Sequence, residues 1–348
     1  MSTTNAFDFF VQWHLTERCN LGCTHCYQTG IGRQELSLPE IVETLAEIEE
    51  MLGDWKESYA IDLSPSINVT GGEPFLHSDF FDILKAMGAR GFALYVLTNG
   101  TLINDQKAKV LSDLGVKGVQ VSIEGPEAIH ESIRGRGSFT ASLKGIARLL
   151  DAGLKVTLNT TLSSVNAAHF MELIDLSLRL GVRRLGFSRL VPSGRGEAML
   201  DTMLSTETVR GLYKRIFSQD TGGLEIVTGD PVAAQLTAQE QEGSNSSTPS
   251  GGCAAGISGI TILPDGTLIP CRRLPVPLGN IKKDSLREIW ATSEVLEALR
   301  DRSRYKGKCG ACSRWAQCRG CRAIAYACSK AKGSEDLLAE DPQCFIGN

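Results

Sequence analysis

The chain has 348 residues, 42% hydrophobic and 22% charged, with a formal net charge of -4. That suffices for one large core and a smaller second one, because single cores stop growing near roughly 250–300 residues, and it excludes a disordered chain. Lys and Arg alternate with acids and form no basic stripe for nucleic acid; the N-terminal MSTTNAFDFF has no signal-peptide character and no apolar run reaches a membrane span, so the chain is read as cytoplasmic, with neither nucleic acid nor membrane as a partner. From Phe9 to about Thr228, short β-branched runs alternate with amphipathic helical stretches, the pattern of βαβ units on a parallel sheet. Strands are predicted over 9–15, 67–70, 94–98, 119–123, 156–161 and 184–188. Between them, Ser37 and Glu40 make a capping-box pattern ahead of a helix over 41–52, and Ser78, Asn104, Ser138 and Asn166 are candidate N-caps of later helices. Six repeats predict an α/β fold, a partial (β/α)6 TIM-like barrel over 1–234.

The run QEQEGSNSSTPSGG, within 235–252, reads as a linker or mobile loop. Beyond it, 253–348 is expected to form a small cysteine-rich domain stabilised by bound metal. It should open with a hairpin, 259–263 and 267–270 around the turn Pro264-Asp265-Gly266, and continue with a helix near 286–300. Eleven cysteines, an odd number in a large chain without an export signal, point to metal binding over disulfides. Cys19, Cys23 and Cys26 stand together, and the other eight lie between Cys253 and Cys344.

Cys19-x3-Cys23-x2-Cys26 follows the first strand directly, at the C-terminal mouth where barrel active sites form. Three thiolates hold a cubane by three irons and leave the fourth free for a chelating ligand. The alternative for the same residues is a structural zinc site with His25 as fourth ligand. This loop, with His25 before its third cysteine, resembles the signature of the radical S-adenosylmethionine (SAM) superfamily.

The resemblance continues along the predicted barrel. Gly71-Gly72-Glu73-Pro74 after the second strand resembles the glycine-rich turn whose backbone and glutamate hold the SAM amino group. Thr98-Asn99 and Ser122-Ile123-Glu124 resemble segments lining the SAM pocket, with Ser122 and Glu124 near the ribose; many relatives have Asp in place of Glu124. Arg134 matches an arginine that approaches the SAM carboxylate, a task suited to a bidentate guanidinium, against the alternative of a surface arginine. Asn159, Thr161, Leu190 and Val191 match positions that help hold SAM, with ordinary barrel packing as the alternative. The resemblance implies reductive cleavage of SAM to a 5′-deoxyadenosyl radical that abstracts hydrogen from a substrate, with the electron drawn from a flavodoxin- or ferredoxin-type donor.

In the C-terminal part, Cys253, Cys271, Cys309-x2-Cys312-x5-Cys318-x2-Cys321 and Cys344 resemble the SPASM extension, which carries two auxiliary [4Fe–4S] clusters. Three [4Fe–4S] clusters are thus implied, with Cys309, Cys312, Cys318 and Cys344 on an outer auxiliary one and Cys253, Cys271 and Cys321 on an inner one. One departure is that only Arg319 and Gly320 separate Cys318 from Cys321, where most members have three residues. Zinc knuckles are the alternative reading. On a helix over 321–330, Cys321 and Cys328 would stand about 10 Å apart along the axis. Cys328 is therefore expected to be a packed apolar residue, leaving the inner cluster with an open iron.

Two substrate classes compete. The segments 13–19 and 190–196 resemble peptide-modifying maturases, and a ribosomally made peptide is the leading expectation, with a separate peptide-binding protein as a possible partner. The tail from Cys318 and the run 338–344 resemble enzymes that decarboxylate or trim haem-precursor tetrapyrroles or process small peptide-derived cofactors. A non-catalytic iron–sulfur electron carrier is the third reading.

Overall fold

In the first strand, β1 (Phe7–His14), side chains alternate between two layers: Phe9, Val11 and Trp13 are buried, while Asp8 and Phe10 line an open polar hollow. The computed structural model describes residues 7–30, 32–237 and 248–346. After β1 the chain forms α1 (Leu38–Tyr59), β2 (Leu63–Thr70), α2 (Phe80–Ala89), β3 (Ala93–Thr98), α3 (Asp105–Asp113) and β4 (Gly118–Ser122). Then come α4 (Glu127–Arg134), α5 (Ser138–Asp151), β5 (Val156–Leu162), α6 (Phe170–Arg179), β6 (Arg184–Arg189), α7 (Thr206–Ser218) and β7 (Glu225–Thr228). Strands β1 to β7 pair in chain order, all parallel. This is the α/β, parallel-sheet architecture that the alternation predicts, with β7 as a seventh parallel strand beyond the predicted six.

Helices pack on the apolar face of the sheet. Ser37 donates through both its amide and its hydroxyl to Glu40, so the capping box forms, and Ile41, Leu45, Ile48 and Leu52 of α1 are buried at helical spacing. Asn104 caps α3 by accepting from the Lys107 amide. Two predicted caps move: Asp79, not Ser78, precedes α2, and Gly137 at φ +79 precedes α5, with Ser138 already in its first turn. Asn166 begins a short 3-10 turn that leads into α6.

The other face is unusually polar. Cross-strand registers place Gln12 beside Asn68, Leu97 beside Gln120, Ser122 beside Asn159 and Thr161 beside Ser188. These side chains share the inner face because their phase along each strand is the same.

Downstream lie α8 (Ala234–Thr237), β8 (Gly259–Ile262), β9 (Thr267–Ile269), β10 (Gly279–Asn280), α9 (Leu286–Thr292), α10 (Glu294–Arg300), α11 (Gly307–Ala311) and α12 (Arg322–Ala331). Of the run read as a linker, 238–247 lie outside the described residues, and 235–237 belong to α8. The predicted hairpin forms as β8–β9, and β8 pairs parallel to β1, so among the described residues one sheet of ten strands crosses the expected boundary. Trp290 of α9 stacks edge-on against Phe9, which also meets Trp55 of α1. The helix expected near 286–300 is divided at Ser293, which leaves the helical region and caps α10 by accepting from the Leu296 amide. Among the described residues no helix is long and apolar enough to cross a membrane.

Candidate active site

The loop after β1 lies directly on the end of β2. The Gly72 amide donates to Thr16 O at 2.7 Å and the Glu73 amide to Arg18 O at 2.8 Å. A Cβ on Gly71 would stand 2.6 Å from Thr16 O, and one on Gly72 2.3 Å from Arg18 O. Both glycines are therefore demanded by backbone approach, which positions the cysteine loop against the sheet. Replacing Gly72 with Ala must push that backbone away. We expect a loss of roughly 1–3 kcal/mol of stability together with reduced iron loading, read from thermal unfolding and iron analysis; normal loading would contradict this.

Glu73 is fully buried and serves the strand ends. Its carboxylate accepts from Thr98 Oγ1 at 2.7 Å and from the Asn99 amide at 2.9 Å, and burial pushes its carboxyl up to about 7. Pro74 opens a short 3-10 turn behind it.

Cys19, Cys23 and Cys26 all face one cavity. Burial pushes the Cys19 and Cys23 thiols up, and Arg134, with Nη1 3.7 Å from Cys23 Sγ, opposes the rise at Cys23. The strand ends supply the rest of the wall: Gly71 and Gly72 from β2, Thr98 and Asn99 from β3, Ser122 from β4, and Asn159 and Thr161 from β5. His25, Arg134 and Val191 also reach it.

Four residues singled out in the sequence lie behind that wall: Glu73, Pro74, Glu124 and Leu190. Glu124 is wholly buried and accepts from Arg134 Nε at 2.8 Å, the Thr161 amide at 2.8 Å and Thr160 Oγ1 at 3.1 Å, with His25 Nε2 at 3.2 Å. Burial opposes its ionisation, but Arg134 and His25 outweigh that and hold its carboxyl well below the usual range. His25 and Arg134 thus tie the cysteine loop and α4 to the end of β4. Among the described residues no three His, Cys, Asp or Glu side chains converge on a single metal ion.

Several cavity residues escaped the sequence reading. Tyr27 and Gln28 follow the third cysteine; burial pushes the Tyr27 phenol up to about 12 and, with Arg272, the His14 imidazole down to about 3, while Gln28 donates to His14 Nδ1. Both groups are neutral near pH 7. Arg195, Arg272 and Arg273 add positive charge to the same cavity. Arg272 donates to Gln12 Oε1 at 3.1 Å; Arg273 donates to Ser188 Oγ at 3.2 Å, and its Nε has no partner among the described residues. The signals were the Arg-Arg pair directly after Cys271 and the place of Arg195 in the 190–196 segment.

Cys309, Cys312, Cys318 and Cys344 line a second cavity, a four-thiol set that fits one cubane. Cys271 packs against one apolar group that contains Cys321 and against another that contains Cys253, which places it between the two. Arg319 and Gly320, the shortened spacer, are both left-handed, at φ 60 and 62. The buried Arg319 guanidinium donates to Gly251 O, Cys253 O and Ala316 O, stitching the Cys253 segment to the 309–321 loop. Cys328 Sγ lies 3.6 Å from Met203 Sδ, in an apolar group that includes Val191 and Leu274.

Residues 13–177 match the radical SAM superfamily and residues 253–322 match SPASM, an iron–sulfur cluster-binding domain. Over 96% of its length the chain is 32% identical to an AdoMet-dependent heme synthase of Methanosarcina barkeri, 95% of which is covered. The chain belongs to the radical SAM superfamily. This radical SAM enzyme is also 29% identical to the mycofactocin maturase MftC of Mycolicibacterium smegmatis, over 96% of its own length and 82% of that protein's. In fold it resembles Streptococcus suis SuiB bound to its precursor peptide SuiA, with a TM-score of 0.74 at 17% identity, covering 98% of this chain and 76% of that one. Membership of the superfamily and the SPASM match imply SAM and iron–sulfur clusters as its cofactors.

Proposed function

We propose that this radical SAM enzyme abstracts hydrogen from a carboxylate-bearing haem-precursor tetrapyrrole, decarboxylating or trimming a side chain. The observation that carries this reading is the cationic wall of Arg195, Arg272 and Arg273 inside the cavity that also receives the three cysteine thiols. Guanidinium groups suit carboxylates because their N–H donors match both oxygens. Arg273 Nε is a buried donor with no partner among the described residues, and a substrate oxygen would satisfy it. Similarity to the heme synthase supports the same class.

In this reading Cys19, Cys23 and Cys26 hold the SAM-binding cluster, which with SAM supplies the hydrogen-abstracting radical. Gly71, Gly72, Thr98, Asn99, Ser122, Arg134, Asn159, Thr161 and Val191 line the SAM end of the cavity; Glu73, Glu124 and His25 act by positioning strand ends and loop. The electron comes from a flavodoxin- or ferredoxin-type donor. Two auxiliary clusters bring the total to three, and Cys328 stays with its apolar neighbours, leaving the inner cluster one open iron. A peptide remains the second reading, favoured by the similarity to MftC.

Anaerobic turnover with dithionite, SAM and either a propionate-bearing porphyrin or a precursor peptide separates the two. We expect porphyrin-dependent 5′-deoxyadenosine. Arg273→Met should raise the KM for the porphyrin about tenfold to a hundredfold, the loss of a charge-assisted hydrogen bond of about 1.5–3 kcal/mol. An unchanged KM would overturn the arginine assignment, and turnover of the peptide alone would overturn the substrate class.

A further inference from the structure

We infer that Gln235 and Arg322 raise the reduction potential of the outer auxiliary cluster; this rests on Cys309, Cys312, Cys318 and Cys344 being its ligands. Gln235, from α8 at the far end of the barrel segment, aims its amide at two of those sulfurs: Nε2 lies 3.3 Å from Cys344 Sγ and 3.8 Å from Cys318 Sγ. Its orientation is determined by the hydrogen bonds. Oε1 accepts from the Phe345 amide at 3.2 Å, a contact only the carbonyl end can make, so the NH2 end faces the thiols.

Arg322, at the start of α12, is 1% exposed. Nη1 donates to Leu337 O at 3.2 Å and Ala339 O at 2.7 Å, the guanidinium stacks 4.9 Å over the Tyr305 ring, and Nη2 reaches Cys309 Sγ at 3.5 Å. Carbonyls take up Nη1, while Nη2 is directed at sulfur, and nearby Asp341 balances part of the positive charge. A buried cation is costly unless an anion sits beside it, and a cluster of four thiolates is such an anion. Gly320 makes room: a Cβ there would stand 2.6 Å from Arg322 Nη2, and its amide donates to Cys318 Sγ at 3.3 Å.

Three of the four sulfurs thus receive N–H donors, one of them cationic. Hydrogen bonds to sulfur and nearby positive charge both stabilise the more negative, reduced state and so raise the potential. The consequence is an outer cluster easily reduced by an external donor, on a cavity whose wall includes the exposed Lys308.

The test is an EPR-monitored redox titration of anaerobically reconstituted, full-length enzyme. Gln235→Leu removes the amide donor, and Gln235→Glu replaces it with a carboxylate of the same shape. The outer-cluster midpoint should fall in the first and fall further in the second, with the SAM-binding cluster's midpoint unchanged in both. Arg322→Lys, which keeps the charge but loses the fork, should fall less than Arg322→Met. Midpoints equal to wild type in both Gln235 variants, with iron content intact, would overturn the inference. Iron analysis of the wild type is the separate control: a chain that binds only about four irons has no outer cluster, and then the ligand assignment fails before any titration.

Discussion

Cys23→Ala abolishes SAM cleavage while leaving the C-terminal iron in place. Two thiolates cannot hold three corners of a cubane, and His25 Nε2 is engaged by Glu124. The loss is local because other contacts keep the loop where it is. The Thr24 amide donates to Ile133 O at 2.9 Å, the Gly196 amide to Cys26 O at 3.0 Å, and Gly72 underlies Thr16 and Arg18. The nine-residue 3-10 segment after β6 takes part in this clamp: a Cβ on Gly194 would fall 2.4 Å from the Tyr27 backbone. Chromatographic assay of 5′-deoxyadenosine under dithionite should fall to background, and iron content should drop by about four per chain, one cubane's worth. Full SAM turnover in the variant would contradict the assignment of this loop.

Arg189→Met should be the most damaging substitution away from any cysteine. Arg189, at the end of β6, is 1% exposed and bonds Asp230 at 2.6 and 2.9 Å, Asp341 at 2.9 and 2.7 Å and Gln343 at 2.8 Å. Tyr213 donates to Asp230 at 2.6 Å, and Asp341 accepts from the Cys321 amide at 2.8 Å. One guanidinium thus joins the barrel to the segment that carries Cys344 and to the start of α12. Removing it leaves two buried carboxylates without their cation, at a cost of about 3–5 kcal/mol. We expect a large fall in thermal stability together with loss of outer-cluster iron.

The pH dependence gives a second check. Burial opposes ionisation of Asp230 and Asp341, yet Arg189 outweighs it and holds both carboxyls below their ordinary 3.8. Groups depressed on folding contribute stability above the unfolded value, and that contribution is lost as pH falls through the folded one. In the variant the sign reverses, because burial without the cation raises both carboxyls and protonation relieves them. The stability gap between wild type and variant should therefore narrow as pH is lowered from neutral toward 4. A gap independent of pH would mean that Arg189 acts by packing alone.

Much of this molecule is legible locally. Alternation of β-branched runs with amphipathic stretches marks β1 to β6, since side-chain phase is a property of neighbouring residues. Cys19, Cys23, Cys26 and the Gly71–Gly72 pair declare themselves because their spacing is met within single loops. The strand β7 escaped because four residues, Glu225 to Thr228, carry too little pattern to stand out. The caps of α2 and α5 slipped by one residue, since neighbouring Ser, Asp and Gly compete for the same role.

What the tertiary structure decided is every relation between distant segments. Arg195, Arg272 and Arg273 become one cationic wall only because the hairpin β8–β9 extends the sheet beside β1 and brings the residues after Cys271 over the barrel mouth. Gln235 read as the start of a polar linker and stands instead on the sulfurs of Cys318 and Cys344. Glu124 matches a ribose-binding position by sequence, and only the fold shows that its carboxylate meets Arg134, His25 and Thr161. Residue type and spacing along the chain mark the cysteine loops and the alternation of strands and helices. Long-range burial and charge pairing determine which arginine meets a carboxylate, which meets a thiolate and which faces the open cavity, because those energies depend on neighbours that only folding supplies.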